Sequence, residues 1–315
     1  MTSPLLDDLA AAFRRDLRRL RRAERTITLY GQSIRFFGDW LAGQGRPATL
    51  DQLTRHAIVA WLTDLAERGL EPSTLRTRHR GMRRFCRWLA AEGELERAPT
   101  EGLDLPDPVD RPPRVLADPE LGALLKACAV PRGKAGAYDR VVFDGRRDEV
   151  IVRVLGDCGL RVSELAGLDL DRDGQPDVDL DREVVYVVGK GNRPRVVPFS
   201  AATGVAIDRY QRARAVHPKA GRTSRFLLGE RGPISPDGIR WRLAVRGGQA
   251  GIKDLHPHAL RHTFAHRWLA AGGQPGDLKH LAGWRSDAML AVYARSTAIE
   301  RAHDAHRRLR LGDTL

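Results

Sequence analysis

The feature that most constrains this chain is a break. Between Glu96 and Arg114 fall Pro99, Pro106, Pro108, Pro112 and Pro113. Proline fixes φ, lacks an N–H and biases the preceding residue away from helix, so neither a helix nor a central strand can run through such a stretch. The segment reads as an extended linker. It divides the 315 residues into two stretches that are each large enough to bury a core. The expected organisation is a domain over 5–95, a linker over 96–113 and a second domain over 114–311, with no internal repeat.

Ahead of the break the pattern is helical throughout. Tyr30, Ile34, Phe37 and Leu41 recur at helical spacing. Thr49 and Gln52 have the spacing of a capping box for a helix carrying Leu53, Trp61 and Leu65. A further helix follows Pro72, with Leu75, Met82, Phe85 and Leu89 on its apolar side. Arg76, Arg78, Arg80, Arg83, Arg84 and Arg87 crowd the rest of its surface. Beyond the break, Val150, Ile151, Val154, Leu155 and Cys158 mark a buried helix that Gly159 can cap. Glu183–Val188 and Arg195–Pro198 read as two short strands around Gly189-Lys190-Gly191-Asn192. Helices follow to the end. The fold class is therefore mainly α with a small β element. Residues 130–147 fit no element in this reading.

Charge narrows the partners. The formal net charge is +13, and lysine supplies only Lys126, Lys134, Lys190, Lys219, Lys253 and Lys279. A chain this basic favours a polyanion, and nucleic acid is the commonest. Solvated arginines on one helix are ordinary, but six within twelve residues are better explained by phosphate contacts. Cys86, Cys128 and Cys158 are odd in number and far apart, so they read as buried thiols in a reducing, cytoplasmic setting. The first residues lack the order of a signal peptide, and no apolar run approaches a membrane-spanning length. No membrane partner is expected.

Several segments can carry chemistry. Pro257 suits the first turn of a helix on which Leu260, Phe264 and Trp268 share the core face. His258 and Arg261, three apart, can converge near the helix start on a phosphate, or can be ordinary surface groups. His256, His258, His262 and His266 suggest zinc, but no Cys lies nearby, and Asp254 is the only close carboxylate. His262 also reads as a core histidine. Asp169, Asp171, Asp173 and Gly174 imitate a calcium loop, yet Leu180 stands where a bidentate Glu belongs and Pro176 interrupts it. The stretch Gly283–Arg295 offers only Asp287, too little for a two-metal nuclease. No cofactor and no metal site is expected.

Four segments together resemble the tyrosine recombinase (phage integrase) family, which includes the Xer proteins, Cre and lambda integrase. They are GLRVSEL from Gly159, VVYVVGKGNRPRVVP around Lys190, HALRH from His258, and LAGWRSDAMLAVYAR from Leu281. They occur in the family's order, and Trp284 stands nine residues before Tyr293. PSTLRTRHRGMRRF in the first domain is similar to the family's core-binding domain.

The resemblance implies a helical core-binding domain and a mixed α/β catalytic domain that clamp one DNA duplex. It places the catalytic set on Arg161, Lys190, His258, Arg261, Trp284 and Tyr293. Trp284 departs from the commoner histidine, as in Cre-like members. Its indole can donate to a phosphate oxygen but cannot transfer a proton. The implied reaction is site-specific recombination through a 3′-phosphotyrosine, with neither ATP nor metal. The implied partners are double-stranded DNA and three further copies in a tetramer on paired sites, with room for accessory DNA-bending proteins. The implied location is cytoplasmic, on the nucleoid. No arm-binding domain is expected ahead of residue 5, which points to short core sites. After Tyr293, Thr297 and Glu300 cap a helix carrying Ile299, Ala302 and Leu309. By resemblance it docks on a neighbouring subunit; the alternative is a helix folded back on its own domain. Two rival activities stay open: DNA relaxation by a type IB topoisomerase, and DNA binding without catalysis.

Overall fold

The structure, a computed structural model, describes residues 3–104, 113–130, 137–189, 193–284, 286–287, 290 and 306–307. The chain separates into two compact units, Met1–Arg111 and Pro112–Leu315.

The first unit is four helices: α1 (Leu6–Arg19), α2 (Glu24–Gly43), α3 (Arg55–Glu67) and α4 (Pro72–Ala91). Their apolar stripes close over Phe13, Phe37, Trp61 and Phe85, which are all fully buried. Close approach of α2 and α4 depends on Gly81, because a Cβ there would lie 2.4 Å from Ser33 Oγ. The expected capping box at Thr49 is not formed. Thr49 precedes a single 3-10 turn, Leu50–Gln52, and its hydroxyl caps nothing. The cap of α3 is Thr54 instead, whose Oγ1 accepts from the Ala57 amide at 3.2 Å. Leu53, at the end of the 3-10 turn, precedes the helix but is still buried in the core.

The second unit begins with α5 (Asp118–Ala127), the long α6 (Arg140–Asp157) and the short α7 (Val162–Ala166). A three-stranded antiparallel sheet follows in the order β1 (Val178–Asp179), β2 (Val184–Gly189), β3 (Arg193–Pro198). Val185 pairs with Val197 and Gly189 with Arg193. After α8 (Ala201–Ala215), the pair β4 (Leu228–Gly229) and β5 (Gly232–Pro233) adds a small ribbon that the sequence pattern does not announce. The helices α9 (Pro236–Gln249), α10 (Pro257–Ala270) and α11 (Pro275–Ala282) follow.

Helix α6 is the spine of this unit, with Val150, Ile151, Val154 and Leu155 at or near zero exposure. The stretch that fitted no element is partly its beginning: Asp139 caps α6 by accepting from the amides of Val141 and Val142. Gly145 is needed there, since a Cβ would run into the Val130 side chain and the Cys128 carbonyl. Residues 131–136 lie outside the described residues. The buried Asp148 accepts from three guanidinium groups, those of Arg147 (2.9 Å), Arg242 and Arg246 (2.7 Å). Arg246 also donates to the Ala127 carbonyl at 2.8 Å, so one carboxylate ties α9 to α6 and one of its arginines reaches the end of α5. A buried carboxylate of this kind persists only because it is paired. The three cysteines are free thiols, all buried.

The acidic stretch resembling a calcium loop is used internally. Asp177 takes Arg172 at 2.7 Å and the Asp169 amide at 2.8 Å. Among the described residues no helix is long and apolar enough to cross a membrane.

Candidate active site

Helix α11 ends in a left-handed residue, Gly283 at φ 63°. The Trp284 amide reaches back to the Lys279 carbonyl at 3.0 Å, and the Gly283 amide to the His280 carbonyl at 3.1 Å. This is a Schellman arrangement. The carbonyls that follow, of Leu281, Ala282 and Gly283, are acceptors at the negative end of a helix dipole. Each takes an arginine from a different part of the chain. Arg195 on β3 donates from Nε to Leu281 O at 2.8 Å. Arg261 on α10 donates to Ala282 O. Arg161, just ahead of α7, donates to Gly283 O at 2.9 Å.

The three guanidinium groups are further fixed. Arg261 also donates to the Gly159 carbonyl and lies with its Cζ 5.6 Å from the centre of the Trp284 ring. Glu164 accepts from Arg161 at 2.8 Å and from both terminal nitrogens of Arg195 at 3.0 and 2.8 Å. It also accepts from the Arg161 amide at 2.8 Å. Burial alone would raise the Glu164 carboxyl pKa. The hydrogen bonds from Arg195 and the Arg161 amide outweigh burial and hold it below the ordinary value. Gly159 is constrained twice: its φ is +59°, and a Cβ would sit 2.3 Å from the Phe264 ring.

These residues border one cleft of about 530 Å³, lined by Arg161, His258, Arg261, His262, Lys279 and Trp284, among others. Gly189 and Arg193, the last and first described residues of the hairpin, also line it. His258 is solvent-accessible at the rim. Desolvation first, and then the charges of His256, Arg261, Arg240 and Arg161, lower its pKa below the ordinary imidazole value. Desolvation, with His258, His256 and Arg261 adding to it, brings His262 down to about 4. Both imidazoles are therefore neutral at pH 7 and can accept a proton. Lys279 pairs with Asp287 at 2.7 Å.

Of the six residues singled out by sequence, Arg161, His258, Arg261 and Trp284 meet at this cleft. Lys190 and Tyr293 lie outside the described residues, as does the tail segment from Thr297 to Leu309 apart from 306–307. The arginine cluster sits on α4 in the other unit. There Arg80, Arg83, Arg84 and Arg87 are exposed, while Arg76 and Arg78 are half-buried and Arg78 stacks 4.2 Å over Phe36. Sequence reasoning missed Glu164 and Arg195. Arg195 had a legible sign: on β3 it shares the inward parity of Val197, and an inward arginine requires a partner. Among the described residues no group of three or more His, Cys, Asp or Glu side chains is gathered as metal ligands would be.

Residues 114–300 match the Phage integrase family, and residues 10–93 match the Phage integrase N-terminal SAM-like domain. The tyrosine recombinase XerC of Roseiflexus castenholzii is 31% identical over 286 residues, covering 89% of this chain and 86% of that protein. XerC of Mycobacterium tuberculosis (strain ATCC 25177 / H37Ra) is 32% identical over 293 residues, covering 91% and 93%. Among solved structures, the Tn1549 transposon integrase in complex with transposon right end DNA has a TM-score of 0.71 at 20% identity, covering 97% of this chain and 99% of that one. A lambda integrase dimer bound to a COC′ core site gives 0.68 at 17% identity, over 93% and 77%. The fold follows from the structural likeness, and the activity from relatives matched over nearly their full length: the chain belongs to the phage integrase family of tyrosine recombinases and is a site-specific DNA recombinase.

Proposed function

We propose that Arg161, Lys190, His258, Arg261, Trp284 and Tyr293 act together on one phosphodiester of duplex DNA. The observation that carries this reading is the convergence of Arg161, Arg261, His258 and Trp284 on a single cleft. Two of these are guanidinium groups anchored to backbone carbonyls. A phosphodiester resists attack because it is anionic and its leaving alkoxide is poor. Arg161 and Arg261, pre-positioned, stabilise the charge that grows on the non-bridging oxygens. The Trp284 indole N–H adds a donor to the same phosphate. The Tyr293 oxygen attacks phosphorus, and neutral His258 accepts its proton. The bond to the 5′ oxygen breaks as Lys190 protonates it, leaving a 3′-phosphotyrosine and a free 5′ hydroxyl. Attack by a 5′ hydroxyl from a second duplex reverses the step and completes strand exchange. The bond energy is kept in the phosphotyrosine, so no ATP is consumed.

In the same reading the unit ahead of the linker, over 5–95, is a core-binding domain. Its α4 arginines hold phosphates, and the unit over 114–311 is the catalytic domain. Four copies assemble on two paired sites and exchange their tail segments, with accessory DNA-bending proteins where a site requires bending.

Trapping tests the chemistry. Wild-type protein and Tyr293→Phe are incubated with fragmented host DNA and resolved on denaturing gels. A covalent adduct from the wild type alone is expected. Sequencing the trapped DNA is expected to return one site, and sedimentation on paired copies of that site a tetramer. Scattered sites would favour relaxation chemistry. An adduct formed by Tyr293→Phe would overturn the assignment of the nucleophile.

A further inference from the structure

Three consecutive carbonyls at the end of α11 each hold one arginine, and only two of those arginines belong to the proposed catalytic set. The third, Arg195, reaches them from β3. Its Nε donates to Leu281 O at 2.8 Å, and its two terminal nitrogens close a fork on Glu164 at 3.0 and 2.8 Å. Its side chain is only 12% exposed. Glu164 in turn holds the Arg161 guanidinium and the Arg161 amide, both at 2.8 Å. The guanidinium of Arg195 also packs against the turn. A Cβ on Gly283 would meet its Nη1, Cζ and Nε at 3.2 to 3.3 Å.

Arg195 thus joins its own strand to two sequence-distant segments at once: the start of α7 with Arg161, and the turn that carries Trp284. All five guanidinium N–H groups of an arginine lie in one plane, so a fork on a carboxylate and a side contact to a carbonyl fix the relative placement of both acceptors. Lysine has no such plane and can serve only one of the two at full strength.

We propose that Arg195 is a positioning residue for strand cleavage, holding the Arg161–Glu164 pair and the Leu281–Trp284 turn at the mutual distance the scissile phosphate requires. The role rests on the active-site reading under Proposed function. Arg195 acts through Glu164 and the turn rather than by binding the phosphate itself, and its effect belongs to the chemical step, not to DNA affinity.

The test is single-turnover cleavage of a nicked target duplex, with DNA affinity measured in parallel by fluorescence anisotropy. Arg195→Met is expected to cleave bound DNA about 10²-fold more slowly, the scale of a misplacement near an ångström. Its Kd is expected to stay within about twofold of wild type, since interactions made only in the transition state leave ground-state binding alone. Arg195→Lys, which keeps the Glu164 contact, is expected to recover part of the rate. In a double-mutant cycle with Arg161→Lys the losses are expected not to multiply, because both substitutions disturb one unit. Wild-type cleavage by Arg195→Met, a loss confined to Kd, or multiplying losses would each overturn the proposal. If Arg195→Met does not fold by circular dichroism, Arg195→Lys alone decides: slower cleavage at unchanged affinity supports the role, and wild-type cleavage overturns it. Failure of the active-site reading has a different signature, an adduct from Tyr293→Phe or none from the wild type.

Discussion

The arginines of α4 and those of the cleft are the same residue used in two opposite ways. On α4, Arg80, Arg83, Arg84 and Arg87 project from one helix into solvent. In the cleft, Arg161, Arg195 and Arg261 come from three segments, and each is held by at least two acceptors, one of them a backbone carbonyl. An exposed, mobile guanidinium supplies charge at long range and follows any phosphate backbone. A clamped one has lost its rotamer freedom at folding and can be aimed at one phosphate without further entropic cost at the moment of reaction. The difference shows that a high arginine content is not one structural signal but two, separated by burial and by the number of fixed partners.

That contrast can be broken by experiment. The largest effect is expected in the cleft: Arg161→Lys should slow cleavage of saturating DNA by about 10²–10³-fold, the cost of removing one pre-aimed donor. Affinity should change little. A loss seen in affinity alone would erase the distinction between the two groups. The α4 group should behave in the opposite sense. Arg83→Ala and Arg84→Ala should each lower the slope of log K against log salt by about 0.9 for every phosphate no longer neutralised. Cleavage at saturation should be unchanged. An altered single-turnover rate would show that α4 also shapes the reacting centre.

The smallest effect concerns pH. His262 titrates at about 4 in the folded chain, pushed down by desolvation and its cationic neighbours, against an ordinary imidazole near 6.5. Between those values the unfolded chain binds a proton that the folded one does not, so this stability is full above about pH 6.5 and is lost as pH falls toward 4. Thermal melts should fall from pH 7.5 to pH 5, and His262→Gln should shrink the difference. An unchanged difference would mean that other buried imidazoles, such as His79 and His217, both also depressed by desolvation, carry it.

Much of this was legible from sequence because it rests on periodicity and spacing. The helices α2, α3 and α4 and the buried helix ahead of Gly159 follow from apolar spacing, and the strands β2 and β3 from short apolar runs flanking a Gly-rich stretch. The cap of α3 did not, because Thr49 and Thr54 both precede helical spacing. Choosing between them depends on a single 3-10 turn that leaves no pattern. Asp148 and its three arginines were illegible for a different reason: Arg242 and Arg246 are ninety-four and ninety-eight residues away in sequence. The cleft was half legible. Arg161, His258, Arg261 and Trp284 stand in motifs, whereas the carbonyls that aim the arginines have no residue type by which to be recognised.

That last point bears on how such a site can change over generations of copying. The acceptors at Gly159, Leu281, Ala282 and Gly283 are peptide oxygens, and no codon change removes a peptide oxygen. The acceptor half of those four contacts is therefore beyond the reach of point mutation, whereas the Glu164 carboxylate that also holds Arg161 and Arg195 is not. Drift can act on the donors, on Glu164 and on the turn's geometry, where Gly283 is left-handed and a Cβ would crowd Arg195. The exposed arginines of α4 can change one at a time at little cost to their own unit. The scaffold of the cleft is inherited whole or not at all.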